Sequence, residues 1–407
     1  MNLDRIVDKA LQNRFKNLIA RKTGFAILIE PVSKCNLACK YCAANAWHYR
    51  DRPFKVMPKQ ILDDFIEKIT TFASKYGISY EVTMHGYEPL QAGLEFFQYV
   101  QDKFKETGYP PRKFGLQTNG VLLTEEWDDF FVENRWGVGF SIDGPKEYHD
   151  ANRVFITGRG SYDIVIKNFR RLREKYQKNG GDVGTISVIT KAHMKPTIDE
   201  AVEKFYNWIL QERLRMPYVH WVSVDPTNPE VKKYAPTEDE LIQWYTKLYE
   251  LWKNREDGVS IDIFERIVEA MVAGRSRRGT CFMRNHCWNV ISIDYQGIVH
   301  LCDRWSYILG PISKYKKFEE ILFDKTMRIQ AARPVVLRLY NSECKKCKYF
   351  NICQGGCANE AIDRSKMYGD HIGGVEQWNT TQYCRLYKTL FQMIERDLRA
   401  RGVPLRI

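Results

Sequence analysis

The sequence predicts an α/β protein: a partial (β/α)6, TIM-like barrel followed by a smaller cysteine-rich domain. Three observations predict it. From residue 23 to about 235, short apolar runs alternate with amphipathic helical stretches, the pattern of a parallel sheet wound with helices. The eleven cysteines of this 407-residue chain fall in two regions, three by position 42 and eight from 281 to 384. Composition turns to Cys, Gly and turn residues at Gly274.

The elements follow in order. Residues 1–22 read as a basic helical entry segment, and Thr23–Pro31 as an apolar strand leading into the first cysteines. Helical spacing over Pro58–Tyr76, Ala92–Lys105, Thr124–Asn134, Ser161–Lys178 and Thr197–Gln211 alternates with strand-like Ile78–His85, Lys113–Thr118, Trp136–Ile142, Asp182–Thr190 and Tyr218–Val224. Thr124 and Ser161 are the residue types that cap helix N-termini. Six such units make residues 23–235 a partial barrel, and parallel barrels bind ligands at the C-terminal ends of their strands. Asp225–Tyr234 is a Pro-rich, polar linker. Two bridging helices are expected in 236–273, the cysteine-rich domain in 274–384 and a last helix in 385–407. No internal repeat or low-complexity segment interrupts the chain.

Composition excludes several classes. No run of about 18 apolar residues exists, so no helix crosses a membrane. The first ten residues lack the apolar stretch of a signal peptide, which predicts a cytoplasmic protein. The formal net charge is +12, part of which would be offset if the clustered cysteines are metal-bound thiolates. No Lys/Arg block is interleaved with aromatics, so no nucleic-acid partner is expected.

In a reducing compartment, clustered cysteines read as metal ligands rather than disulfides. A set of three and two sets of four account for all eleven. Cys35, Cys39 and Cys42 have the spacing C-x3-C-x2-C, with Tyr41 before the third. Three thiolates hold only three irons of a four-iron cluster and leave the fourth open. Zinc usually takes four protein ligands, or three and water, and a zinc site or three unrelated thiols are the alternatives. The trio resembles that of the radical S-adenosylmethionine (SAM) enzymes, in which SAM chelates the open iron and is cleaved to a 5′-deoxyadenosyl radical.

Further stretches carry the resemblance. Met84-His85-Gly86-Tyr87-Glu88-Pro89 resembles the family's Gly-Gly-Glu-Pro motif, which implies that Gly86, Glu88 and Pro89 hold the methionine amino group. Tyr87 replaces the second glycine, and a glycine there matters if the position needs positive φ. Asn119, in Gln117-Thr118-Asn119-Gly120, and Ser141 and Asp143, in Ser141-Ile142-Asp143-Gly144-Pro145, resemble the stretches that contact the SAM ribose and carboxylate. Each of these motifs also reads as ordinary turn chemistry. Arg153 or Arg159 could pair the SAM carboxylate bidentately.

The remaining cysteines read Cys281-x5-Cys287-x14-Cys302, then Cys344-x2-Cys347-x5-Cys353-x3-Cys357, then Cys384. Four-cysteine sites suit zinc as well as iron–sulfur clusters. The layout resembles the SPASM domain, which carries two auxiliary [4Fe-4S] clusters. The resemblance implies that Cys281, Cys287, Cys302 and Cys357 hold one, and Cys344, Cys347, Cys353 and Cys384 the other. With the SAM-binding cluster this makes three. Interleaved ligands lock the ends of the domain together, so metal loss should unfold it.

The whole chain is similar to the anaerobic sulfatase-maturating enzymes and the ribosomal-peptide maturases. That resemblance makes Asp303, directly after Cys302, the candidate base that takes a proton as an auxiliary cluster takes an electron. A turn aspartate accepting backbone amides is the alternative. The sulfatase-maturating enzymes have a Tyr two residues after the third cysteine and a Gln before the Gly-Gly-Glu motif. Here Ala44 and His85 stand there, so a substrate other than a sulfatase cysteine or serine is expected, with His85 orienting it or relaying a proton. The expected function is two-electron oxidation of a peptide or protein side chain, as a crosslink or a dehydrogenation. The alternative is a dehydrogenase, or less so an epimerase, of a small molecule such as an aminocyclitol. Expected partners are a flavodoxin- or ferredoxin-type electron donor and a separate leader-binding protein, since the first strand begins near Thr23.

Overall fold

The computed structural model describes residues 3–22, 24–42, 53–222, 229–253, 258–274, 283, 286–302, 308–361 and 380–407. Helix α1 (Leu3–Arg21) leads into β1 (Phe25–Glu30), whose Phe25, Ile27 and Ile29 are buried. Then come α2 (Lys59–Tyr76), β2 (Tyr80–Met84), α3 (Leu94–Glu106), β3 (Lys113–Thr118), α4 (Glu125–Glu133) and β4 (Gly137–Ser141). The series continues with α5 (Lys146–Asn152), α6 (Tyr162–Lys178), β5 (Gly184–Ile189), α7 (Ile198–Gln211) and β6 (Tyr218–Trp221). Strands β1 to β6 pair in sequence order, all parallel. This is the expected α/β partial barrel. Its helices bury aromatic side chains against it; Trp136 stacks on Phe114 at 5.0 Å and Phe97 meets Trp127 edge-on at 4.9 Å.

Helices α8 (Glu238–Lys253) and α9 (Asp262–Ala273) follow, then β7 (Val290–Asp294), β8 (Ile298–Leu301) and β9 (Ile308–Pro311). These three strands extend the barrel sheet, which the sequence reading did not foresee. β7 pairs parallel to β1, Ala26 against Val290 and Glu30 against Asp294, and the nine-stranded order is β6-β5-β4-β3-β2-β1-β7-β8-β9. β8 runs back antiparallel. Cys35 therefore follows the C-terminal end of β1, while Cys302, whose N–H donates to the Val290 carbonyl at 3.3 Å, lies beside its start.

Helices α10 (Lys325–Tyr340) and α11 (Cys384–Ala400) complete the chain. Cys384 opens α11, one residue before the expected start. α1 packs on α10: Arg14 Nε donates to the Ala331 carbonyl at 3.2 Å and Asp8 pairs with Arg328. Among the described residues no helix is long and apolar enough to cross a membrane.

Two expected caps differ. Thr124 and Ser161 precede α4 and α6, but neither hydroxyl caps the helix. The Ser161 hydroxyl donates to the Arg153 carbonyl at 2.8 Å, and Asp150 Oδ1 accepts the Tyr162 N–H at 2.9 Å instead.

Candidate active site

Because β1 to β6 are parallel, Glu30, Met84, Thr118, Ser141 and Ile189 end at one edge of the sheet, and the motif residues follow them there. The cysteine loop is pinned at that edge by backbone bonds. Ala38 N–H donates to Val154 at 2.7 Å and Lys40 N–H to Asn152 at 2.9 Å. Cys35, Cys39 and Cys42 are all half-buried. Burial pushes the Cys35 thiol well above its ordinary range, with the charge of Cys39 adding to it. Burial also raises Cys39, to about 12, against the pull of the Arg153 guanidinium. Thiols so disfavoured as bare thiolates are suited to a metal that compensates their charge.

Glu88 is fully buried. Its Oε1 accepts from Thr118 Oγ1 at 2.7 Å and from the Leu90 N–H at 3.2 Å; its Oε2 accepts the Asn119 N–H at 2.7 Å. Burial raises its pKa to about 7, opposed by those three donors. Glu88 thus stitches the loops after β2 and β3 together. Pro89 is buried at the start of a single 3₁₀ turn, Pro89–Ala92. Gly86 has φ +77°, and a Cβ there would stand 2.7 Å from Glu30 Cγ. Tyr87 also has positive φ, 50°. The position does need the left-handed conformation, and here a tyrosine adopts it. The His85 N–H donates to the Ile29 carbonyl at 2.9 Å, which holds His85 beside the end of β1.

Asp143 and Arg153 sit in a buried node that also takes in Tyr41 of the cysteine loop. Asp143 Oδ2 accepts from Tyr41 Oη at 2.8 Å and from Arg153 Nε at 2.8 Å, and Oδ1 accepts the Val188 N–H at 2.9 Å. The Arg153 guanidinium lies 5.4 Å from the Tyr41 ring centroid. Arg153 and these donors hold the Asp143 carboxyl below its usual range although burial opposes them. Asp143 is enclosed, and both of its oxygens are hydrogen-bonded within the node. Tyr41, read as a cofactor-loop aromatic, is thereby the loop's anchor. Two histidines complete the node: His149 Nδ1 accepts the Asp143 N–H at 3.4 Å, and His193 Nε2 donates to the Asp143 carbonyl at 2.7 Å.

Arg159 is exposed on the 154–160 hairpin, 5.0 Å over the Phe155 ring, where its charge is solvated. Ser141 ends β4 and accepts from Gln117 Nε2 at 2.9 Å. Asn119 Nδ2 reaches Asn36 Oδ1 at 2.7 Å and Cys35 Sγ at 3.6 Å. The sequence reading missed Asn36, whose Nδ2 is buried with no partner, and Glu30, buried at the end of β1 with Ser292 Oγ bonded to it at 2.5 Å. Adjacency to Cys35 marks the first. The second is marked only by a carboxylate closing the apolar run Ala-Ile-Leu-Ile.

Beyond the barrel, Cys344, Cys347, Cys353 and Cys384 line one small pocket walled by Tyr349, Phe350, Tyr387 and Phe391. Among the described residues no three His, Cys, Asp or Glu converge tightly enough for a single ion. Cys287 and Cys357 are neighbours: burial raises Cys287, and the Ala358 N–H donates to its sulfur. Buried Arg333 donates to the Gly355 and Gly356 carbonyls at 2.9 Å each, gripping the turn before Cys357. Cys281 and Asp303 lie outside the described residues.

Comparison with known proteins agrees with this geometry. Residues 29–209 match the radical SAM superfamily. A cysteine-type anaerobic sulfatase-maturating enzyme of Clostridium perfringens is 27% identical over 381 residues, covering 90% of this chain and 95% of that protein. The serine-type enzyme of Bacteroides thetaiotaomicron is 26% identical, covering 83% and 84%. The solved structure of anSMEcpe with bound AdoMet and Cp18Cys peptide superposes with a TM-score of 0.75 at 25% identity, covering 93% of this chain and 98% of that one. Streptococcus suis SuiB bound to the precursor peptide SuiA shares the fold, with a TM-score of 0.60 at 15% identity over 92% and 80%.

Proposed function

Since this chain carries a radical SAM domain and is a radical SAM enzyme, we propose that it oxidises a side chain of a peptide or protein by two electrons. The observation that carries the reading is the three-cysteine loop pinned at the C-terminal edge of the barrel, in a chain related along 90% of its length to a sulfatase-maturating enzyme. Cys35, Cys39 and Cys42 would hold the cluster. Bound there with SAM, it supplies a 5′-deoxyadenosyl radical. The buried Asn36 Nδ2, which has no partner, and the polar strand ends at Gly86, Asn119 and Ser141 suit a charged, hydroxyl-rich cofactor.

Asp303 is the group that takes the substrate proton. Cys281, Cys287, Cys302 and Cys357 form one auxiliary site, and Cys344, Cys347, Cys353 and Cys384 the other. His85 faces the substrate where the relatives have glutamine, so the oxidised side chain differs from a sulfatase cysteine or serine. The product is a crosslink or a dehydrogenated residue. A flavodoxin- or ferredoxin-type donor and a separate leader-binding chain belong to the same proposal.

The test is anaerobic incubation of the reconstituted enzyme with SAM, reductant and candidate peptides, read by mass spectrometry. Loss of two mass units with stoichiometric 5′-deoxyadenosine is the expected result. Oxidation of an aminocyclitol with no peptide turned over would overturn the substrate class, and failure to cleave SAM the whole reading. In Asp303→Asn we expect 5′-deoxyadenosine to persist while product falls about 100-fold or more, the scale of a general base. Undiminished product would remove Asp303 from the mechanism.

A further inference from the structure

We propose that the exposed face where α10 ends against the turn 344–347 is the docking surface of a small acidic one-electron carrier protein, which takes electrons from the group held by Cys344, Cys347, Cys353 and Cys384. This rests on the proposed auxiliary site at those four cysteines.

α10 has its core face filled and apolar side chains to spare. Met327, Ala331, Ala332, Val336 and Leu337 are buried, while Val335, Leu339 and Tyr340 stand 41%, 38% and 48% exposed. Val335 and Leu339 are four residues apart and so share one side of the helix. Arg338, between them, fixes where that helix end lies. Its Nη1 donates to the Cys344 carbonyl at 3.2 Å and to the Cys347 carbonyl at 3.4 Å. Its guanidinium lies 5.1 Å from the centroid of Phe350, a wall of the four-thiol pocket. Buried Leu337 packs on Cys344 and Phe350 from the same helix end. Cys344 is buried, but Cys347, three residues on, is only half-buried. An exposed apolar patch rimmed by polar residues marks a contact surface, and this one adjoins the turn that carries two of the four thiols.

The rim is basic. Lys345 and Lys346, between Cys344 and Cys347, are exposed, as is Arg338. Among the described residues none of the three pairs with a carboxylate, and the neighbouring acids are taken: Glu343 by Lys388, Glu395 by Lys348 and Arg399. Three uncompensated cations suit a partner whose own surface is acidic. The small apolar centre suits the limited interfaces of electron-transfer encounters. The electron balance of the proposed reaction asks for such a partner. Hydrogen-atom abstraction and loss of a proton leave one electron to be removed from the substrate. That electron passes to the four-thiol site and then to the oxidised flavin or iron–sulfur group of the carrier. The carrier is reduced by one electron, and the site returns to its starting state.

The experiment measures binding of an oxidised acidic flavodoxin to the reconstituted enzyme by anaerobic calorimetry. It also follows, in the flavin absorbance, the rate at which the reduced enzyme passes one electron to that flavodoxin. Variants are compared at the parent's iron content. Lys345→Glu with Lys346→Glu should weaken binding about tenfold or more at about 0.01 M salt and slow transfer in proportion, and the loss should shrink at about 0.15 M salt. Leu339→Ser should weaken binding alike at both salt concentrations. Lys105→Glu with Lys167→Glu, exposed on α3 and α6, makes the same change in net charge and should leave binding within about threefold of the parent. Binding of the first pair within about threefold of the parent overturns the proposal. So does an equal loss in the second pair, which would assign the effect to net charge alone. Self-association of the parent that the first pair abolishes would give the face to a second copy of this chain and overturn it too. If the parent carries only about four irons per chain, enough for the three-cysteine cluster alone, the auxiliary-site reading fails first, and this proposal with it.

Discussion

Asp143 binds three donors from three segments: Tyr41 in the cysteine loop, Arg153 after α5 and the Val188 amide in β5. Removing its charge leaves the guanidinium of Arg153, a buried residue, without its carboxylate. Breaking a buried pair from one side costs about 3–5 kcal/mol. We expect Asp143→Asn to lower unfolding stability by that amount and to reduce iron bound at the three-cysteine loop, measured by denaturant titration and iron analysis. Stability within about 1 kcal/mol of the parent would show that the node is dispensable. His149 gives this node a pH dependence. Its Nδ1 accepts from Asp143 and its Nε2 donates to Ser161 Oγ at 3.0 Å, so it is held as the neutral tautomer. Burial lowers its pKa to about 3. The unfolded chain binds that proton near pH 6.5, and the folded one does not. Stability from this group is therefore complete above pH 6.5 and is lost as pH falls toward 3, by about 4–5 kcal/mol in all. His149→Gln should flatten the decline in unfolding free energy between pH 6.5 and 4; an unchanged slope would clear His149.

The caps set a contrast between elements. Thr197 accepts the Glu200 N–H at 3.3 Å and caps α7, whereas Thr124 makes no such bond at α4. Thr197→Ala should cost about 1 kcal/mol and Thr124→Ala only a few tenths, read from paired denaturant curves. Equal losses would mean that the hydroxyl at Thr124 is used in solution. The same pair shows what sequence can and cannot reveal. Lys113–Thr118 is a strand in both the reading and the structure, because its alternation is imposed by a core on one face. Ser161 has the right identity and position for a cap, but its hydroxyl is captured by the Arg153 carbonyl, a contact across the fold that local pattern does not encode. β7 to β9 are four or five residues each in a cysteine-rich stretch, too short for periodicity to separate from turns. In the site, spacing singles out the cysteines, whereas Gly86 and Glu88 stand out only through their resemblance to a family motif. Asp143 stands out by the same kind of resemblance, as a contact of the cofactor, and only packing shows it enclosed.

At the scale of the molecule, one sheet sets the Cys35–Cys42 loop and Cys302 at opposite ends of β1. The four-thiol cavity is built from the short segment 344–353 and the first residue of α11, walled by aromatics from both. Without metal its thiols have few partners and its walls less to pack on, so iron removal should loosen both elements. The effect should also reach the opposite end of the chain. α1 rests on α10 through Arg14 to Ala331 and Asp8 to Arg328, and its Phe15 meets Phe323, just before α10, at 5.1 Å. α10 in turn grips the Gly355-Gly356 turn through Arg333. Sequence neighbours of β1 thus depend on cysteines more than 300 residues away. We expect anaerobic chelation to raise amide hydrogen exchange in α11, in 344–357 and in α1 together. β3, β4 and β5 should keep their protection, since their helices α4, α6 and α7 touch none of these segments closely. Exchange that rises evenly along the chain would mean a single cooperative unit; exchange that spares α1 would mean that its contact with α10 contributes little to holding it.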